Sequence, residues 1–385
     1  MIPYGKQDIN QHDIDAVIDV LKSDFLTQGP QVPRFEEAIN KIVNARYSVA
    51  VNSATSALHI ACLALEVGKG DIVWTSPITF VASANCALYC GATVDFVDID
   101  IDTYNLSPIA LAKKLKQAKI DNKLPKVVIP VHLAGQSCDM QKIHQLSLEY
   151  GFKIIEDAAH AIGGSYQGKP IGHCQYSDIT VFSFHPVKIV TTAEGGVATT
   201  NNQALAQKMQ RLRSHGITRD ENLMTEASHG DWYYQQLELG FNYRMSELHA
   251  ALGISQLSRL AEFVNKRVTI AESYNQQLAS LPITLPKQLN ATDSSWHLFI
   301  IQLKLNELTK SHQQIFSELR EAGIGVNLHY IPVYKQPFYK ELGFNDIALP
   351  ATEEYYQTAI SIPIFPLLTA QQQHKIINEL KRALI

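Results

Sequence analysis

The sequence predicts an α/β fold: a large domain built on a mostly parallel sheet covered by helices, then a smaller C-terminal α/β domain. Between about residues 45 and 200, short β-branched runs alternate with longer helical patterns at spacings of roughly 20 to 30 residues, the rhythm of βαβ units. After Gly195 that rhythm gives way to long helical stretches rich in Leu, Ala and charge. Of the 385 residues, 46% are hydrophobic and 18% charged. That is ample material for a core and excludes an intrinsically disordered chain.

In order along the chain, residues 47–51, 71–75, 93–97, 126–131 and 152–156 read as strands, followed by 179–184 and 197–200. Residues 56–65 and 140–150 read as amphipathic helices between them, with Asp139 as N-cap of the second. Beyond Gly195, residues 203–214 and 245–276 read as helices and 296–305 as a strand. Further helices are expected over 311–321 and 370–383. The domain boundary is expected within the long helix, near residues 255 to 265, dividing the chain into 1–258 and 259–385.

The 33 Lys plus Arg against 37 Asp plus Glu leave a formal net charge of −4. This balance offers no general attraction to nucleic acid or to an anionic membrane. The N-terminal segment is polar and lacks the basic and apolar regions of a signal peptide. The most apolar stretch, 81–97, is broken by Ser83, Asn85, Gly91 and Asp95 and is too short to span a bilayer. The five cysteines, Cys62, Cys86, Cys90, Cys138 and Cys174, contain no CxxC pair. A disulfide framework or zinc ribbon is not expected, and small core residues are the simplest reading. These features are those of a reduced, cytoplasmic protein without a metal site.

Three local features fall at the ends of expected strands, where ligands bind in parallel sheets. Asn52-Ser53-Ala54-Thr55-Ser56 follows the first strand and opens a helix. Its small residues, free N–H groups and hydroxyls suit a phosphate, although an ordinary Ser/Thr N-cap reads the same way. Ile155-Glu156-Asp157-Ala158-Ala159-His160 puts a carboxylate at a strand end. Asp157 there pairs with a protonated ring nitrogen or merely caps a helix, and His160 orients it, contacts the ring or lies at the surface. Ser183-Phe184-His185-Pro186-Val187-Lys188 leads to Gly195-Gly196. Lys188 is either a loop lysine or, desolvated, a nucleophilic amine suited to a Schiff base. Together a Schiff-base lysine, a strand-end aspartate and a phosphate loop are what pyridoxal phosphate requires. Phe80, after the second strand, is placed to cover the ring or to pack in the core.

The chain resembles the DegT-type sugar aminotransferases, a branch of the fold-type I pyridoxal-phosphate enzymes, nearly end to end. The resemblance rests on Pro3-Tyr4-Gly5, Leu26-Thr27-Gln28-Gly29-Pro30, Ala54-Thr55, the Glu156 to His160 and Ser183 to Lys188 segments and Arg213-Ser214-His215-Gly216. It continues through Gly240-Phe241-Asn242-Tyr243-Arg244-Met245, Trp296-His297-Leu298 and Leu328-His329-Tyr330. Many family sequences carry Gln where His160 stands. With His160 and the Ser-Phe-His-Pro-Val-Lys run, the chain is most similar to the enzymes that aminate a UDP-linked 4-keto-6-deoxy amino sugar on the way to pseudaminic acid.

The resemblance implies roles for particular residues. Lys188 holds the coenzyme aldehyde and moves protons, Asp157 pairs with the pyridine nitrogen, His160 supports that side of the ring and Phe80 stacks on it. Ala54, Thr55 and Ser183 bind the phosphate, with His185 nearby or simply in the loop. Asn242 matches an asparagine that reaches the neighbouring subunit's site, implying a homodimer with shared active sites. Tyr4, Thr27, His329 and Tyr330 match places where the family holds the nucleotide sugar. Family members that exchange the lysine for histidine are dehydratases, so Lys188 implies transamination, with L-glutamate as donor. The competing readings are amination at C3 or C4 of a TDP-linked keto sugar, or a binding protein that uses this fold without catalysis.

Overall fold

A computed structural model describes all 385 residues. Its centre is a seven-stranded sheet of β1 (Tyr47–Val51), β2 (Ile72–Thr75), β3 (Thr93–Phe96), β4 (Val127–Ile129), β5 (Lys153–Asp157), β6 (Ile179–Ser183) and β7 (Gly196–Thr200). The spatial order is β1-β7-β6-β5-β4-β2-β3. Five neighbouring strands, from β6 to β3, are parallel, and β7 runs antiparallel to both β1 and β6. The expected parallel sheet is therefore present, with one reversed strand.

The strands are apolar almost continuously because both faces are covered. Val49 and Val51 of β1 and Ile179 and Val181 of β6 pack into one apolar cluster with Ala57, Leu58, Ile60 and Ala61 of the helix that follows β1. Ala50 and Phe182, pointing the other way, pack into a second. This is the period-two alternation of a strand used on both sides. Helices α1 (Gln11–Leu21) and α2 (Gln31–Val43) precede the sheet, α3 (Ala54–Ala64), α4 (Ala82–Tyr89), α5 (Pro108–Ile120) and α6 (Met140–Tyr150) carry the chain between its strands, and α7 (Gln203–Leu212) follows the last one. Asp139 caps α6 as expected, accepting from the Lys142 N–H.

The expected single helix over 245–276 is two, α8 (Glu247–Leu257) and α9 (Leu260–Leu278). Ser258 Oγ donates to the Ser255 carbonyl at 2.6 Å, and the Arg259 guanidinium turns away to Asp8 and Asp13 at 3.0 and 2.6 Å. The apolar period continues on both sides of the break, so periodicity could not reveal it. Beyond α9, a three-stranded antiparallel sheet is built on Phe299–Leu303, paired with Ile283–Thr284 and Ala359–Ile362. It shares its own apolar cluster with α9 and the terminal helix Ala370–Ala383. We propose the division at the α8–α9 break, close to the expected 1–258 and 259–385. Two segments cross it. Ile2 packs in the C-terminal cluster, and Val333, Tyr334 and Tyr339 pack in the large one.

No helix is long and apolar enough to cross a membrane. Cys62, Cys86 and Cys138 are buried, Cys90 and Cys174 half-buried, and all five are free thiols.

Asp13, 0% exposed, gathers Ser255, Gln256 and Arg259 from the α8–α9 junction at 2.6, 2.7 and 2.6 Å. Removing the carboxylate leaves a mostly buried guanidinium with Asp8 as its one carboxylate partner and takes the acceptor from Ser255 and Gln256. Asp13→Ala is expected to cost about 3–5 kcal/mol, read as a lowered urea midpoint; an unchanged midpoint would show that the junction does not depend on it.

Candidate active site

The strand register assembles the site. Gly196, the first residue of β7, lies opposite Val51 at the end of β1 and opposite Ser183 at the end of β6. Asp157 ends β5, the next strand. Four chain positions far apart in sequence thus stand in a row along one edge of the sheet. A Cβ on Gly196 would lie 2.5 Å from the Ala54 nitrogen and from the Ser53 carbonyl, so only glycine allows α3 to begin there.

At the start of α3, Ser53 caps the helix by accepting from the Ser56 N–H at 3.1 Å. The ordinary N-cap reading is therefore correct for Ser53. It leaves the N–H groups of Ala54 and Thr55 without a protein acceptor, at the positive end of the helix. Ser183 Oγ likewise has no protein partner and lines the same space.

These groups open into one cavity of about 490 Å³. Of the residues singled out from the sequence, it brings together Tyr4, Ala54, Thr55, Phe80, Asp157, His160, Ser183, His185, Lys188, His329 and Tyr330. Phe80 is 60% exposed and stands at the wall rather than in the core. His185 is exposed and Lys188 half-buried. Thr27 and Asn242 are not in this cavity. Both are exposed, Thr27 in the turn between α1 and α2 and Asn242 on a segment bridged to Ser214.

Asp157 is 5% exposed. Its Oδ1 accepts the Ala159 N–H at 3.0 Å, and its Oδ2 accepts the Ser83 hydroxyl at 2.5 Å. His160 does not hydrogen-bond Asp157. Its Nδ1 accepts the Ala134 N–H at 3.3 Å, so the ring proton sits on Nε2 and is donated to Tyr330 Oη at 3.1 Å. The hydroxyl proton of Tyr330 is thereby left to point elsewhere, and the residue lines the cavity. His297 lies against His160, ring centres 4.3 Å apart.

Behind the site, Glu156 points to the other side of β5, where its Oε2 meets His132 Nε2 at 2.7 Å. The sequence reading gave no site role to Ser83, Thr79, His297 or Asn327, all of which stand at or beside the cavity. Thr79 and Ser83 lie four apart around Phe80, a helical spacing that could have flagged them.

Burial pushes the Lys188 amine down to about 8, although the charge of Asp157 pulls the other way. Burial and the nearby Lys188 hold His329 down at about 3 and His160 well below its ordinary value. His297 is lowered by burial, then by His160 and Lys188. The imidazoles are therefore neutral at pH 7, and Lys188 is poised near the working range of a proton carrier.

The residues fit pyridoxal phosphate. Two unpartnered helix N–H groups and two hydroxyls suit its phosphate, a buried carboxylate suits its ring nitrogen and a desolvated amine suits its aldehyde. No group of three or more His, Cys, Asp or Glu is placed to hold a metal.

Only the neutral amine attacks an aldehyde, so capture of the coenzyme by the apo-protein should quicken as pH rises and level off above about 8. Borohydride reduction and peptide mapping should find the label on Lys188. A rate still climbing toward about 10.4, the ordinary lysine value, would show that the amine is not desolvated.

Solved structures share the whole architecture. PseC of Helicobacter pylori, an aminotransferase involved in pseudaminic acid biosynthesis, superimposes with a TM-score of 0.90 at 31% identity, covering 100% of this chain and 99% of that one. Spr1654 of Streptococcus pneumoniae in its PLP-form gives 0.88 at 30% identity, covering 99% and 98%. A UDP-4-amino-4,6-dideoxy-N-acetyl-beta-L-altrosamine transaminase of Campylobacter jejuni is 39% identical, covering 94% of this chain and 92% of its own. Residues 7–381 match the model of the DegT/DnrJ/EryC1/StrS aminotransferase family, and the chain belongs to that family of pyridoxal-phosphate-dependent sugar aminotransferases.

Proposed function

We propose that this aminotransferase moves the amino group of L-glutamate to C4 of a UDP-linked 4-keto-6-deoxy N-acetyl amino sugar, a pseudaminic acid precursor. The observation that carries the chemistry is the convergence of Lys188, Asp157 and the open end of α3 in one cavity. The substrate assignment is supported by the likeness to the Campylobacter and Helicobacter enzymes.

Pyridoxal phosphate, when bound, supplies an electron sink that loosens the proton on the donor's α-carbon. The chain's own residues do the rest. The N–H groups of Ala54 and Thr55, with the hydroxyls of Thr55 and Ser183, hold the phosphate against the positive end of α3. Asp157 would keep a proton on the ring nitrogen, and Phe80 would cover the ring face. His160 fixes Tyr330 by donating to its oxygen, so that the Tyr330 hydroxyl can donate to an oxygen of the sugar. Lys188 Nζ takes the α-proton from glutamate and, in the second half-reaction, delivers a proton to the sugar C4. An amine lowered to about 8 can do both near neutral pH. Tyr4 and His329 line the far side of the cavity, where the sugar would sit.

Thr27 and Asn242 lie outside the cavity of their own chain, which supports the reading that they serve a second copy. In a two-fold homodimer each subunit would lend these residues to its partner.

With L-glutamate as donor, the UDP-linked 4-keto sugar should give the 4-amino product and 2-oxoglutarate at a higher kcat/KM than TDP-linked keto sugars. Preferred amination of a TDP-sugar at C3 would overturn the substrate assignment. Lys188→Ala should lose turnover by about 10²–10⁴-fold or more with an unchanged melting temperature. Wild-type turnover in that variant would sink the mechanism.

A further inference from the structure

Asp157 is held from an unexpected direction. Thr79 and Ser83 lie on either side of Phe80 in sequence, Ser83 in the first turn of α4, and both are buried, 3% and 1% exposed. Ser83 Oγ is 2.5 Å from Asp157 Oδ2, 2.8 Å from Thr79 Oγ1 and 3.4 Å from the Phe80 carbonyl. A carboxylate can only accept, so the Ser83 proton goes to Asp157, the shortest of the three contacts. Thr79 must then donate to Ser83 Oγ. The result is a one-way chain, Thr79 to Ser83 to Asp157, running from the loop that carries Phe80 to the carboxylate.

We propose that Ser83 is a positioning residue for the coenzyme: with Thr79 behind it, it fixes and stabilises the Asp157 carboxylate that faces the pyridine nitrogen. The proposal rests on the reading of Asp157 given above and adds what holds that residue. With the Ala159 N–H on Oδ1 and Ser83 on Oδ2, each oxygen keeps one lone-pair direction free, and the carboxyl plane cannot rotate. The same loop presents Phe80 to the cavity, so one short stretch of chain would set both the face and the edge of the ring.

The test compares two coenzymes on apo-protein: pyridoxal phosphate and its 1-deaza analogue, in which a C–H replaces the ring nitrogen. In Ser83→Ala, affinity for pyridoxal phosphate should fall on the order of ten-fold, the range for a hydrogen bond to a charged group. Affinity for the deaza analogue should be little changed, because it has no nitrogen for Asp157 to pair with. Equal losses with both coenzymes would mean that Ser83 merely packs α4, and no loss with either would mean that it does not act on Asp157. Both results would overturn the proposal. Asp157→Asn serves as the reference. If its losses are also equal for the two coenzymes, the fault lies with the pairing assigned to Asp157 rather than with Ser83.

Discussion

The coenzyme end of the cavity depends on one close approach of backbone to backbone. Gly196 lies under the first residues of α3, where any side chain would strike the Ala54 nitrogen. The approach is possible because β7 runs against its neighbours. The connection from β6 to β7 is therefore a hairpin that leaves and re-enters the sheet at the same edge. Lys188 rides on that hairpin. Phe184 N–H donates to the Gly195 carbonyl at 3.0 Å and Thr192 N–H to the Phe184 carbonyl at 2.9 Å, which closes the loop at its base. A parallel strand in this place would have carried the chain away to the opposite edge and taken the lysine with it.

The same geometry shapes the electrostatics. Asp157, His160, His329 and Lys188 are drawn into a poorly hydrated space, where charge is costly unless paired. The imidazoles respond by staying neutral, each kept so by burial and by the lysine. Their hydrogen bonds fit that state. His160 accepts at Nδ1 and donates at Nε2. His329 accepts at Nε2 from the Asn327 amide and donates at Nδ1 to Ser361 Oγ, at 3.2 and 2.9 Å. Lys188 is left with a proton that is loosely held and shared with no other side chain. A site that must take a proton from one carbon and return it to another needs a single such carrier, with neighbours that do not compete for it.

Much of this was legible in the sequence, and what was not had physical reasons. The strands of the large domain were visible because burial on both faces makes them uninterrupted apolar runs. Asp157 and Lys188 stood out because a charged residue at the end of such a run is unusual. The reversal of β7 left no trace, since Gly196–Thr200 is short and made of small and β-branched residues that read alike in either direction. The α8–α9 break was hidden because its cause is Asp8 and Asp13, some 250 residues upstream. Ser83 and Thr79 were passed over for the opposite reason to Lys188. Small hydroxyl residues in an apolar stretch look like tolerated core positions, and only the fold reveals a carboxylate at hydrogen-bond distance.

The side of the cavity formed by Tyr4 and His329 is assembled on a different principle from the side of Lys188 and Asp157. Its residues come from the N-terminal arm and from the C-terminal part of the chain, neither of which contributes a strand to the central sheet. Ile2 pairs beside Ile324, and the Tyr4 carbonyl accepts from Ile364 N–H at 3.1 Å, so the arm is fastened to the C-terminal sheet. Asn327 exchanges two backbone bonds with Ser361, and the Tyr355 hydroxyl donates to the His329 carbonyl. Tyr4 and His329 are thereby locked together, ring centres 4.9 Å apart, as one wall facing Lys188. Of Tyr4, His329 and Tyr330, only Tyr330 makes a side-chain hydrogen bond to the opposite side of the cavity, with His160. The side of Lys188 and Asp157 is thus fixed by sheet register, which tolerates little change, while the facing wall is built by the arm and the C-terminal part of the chain. A family that keeps one chemistry while changing its sugar would be expected to vary the second and preserve the first.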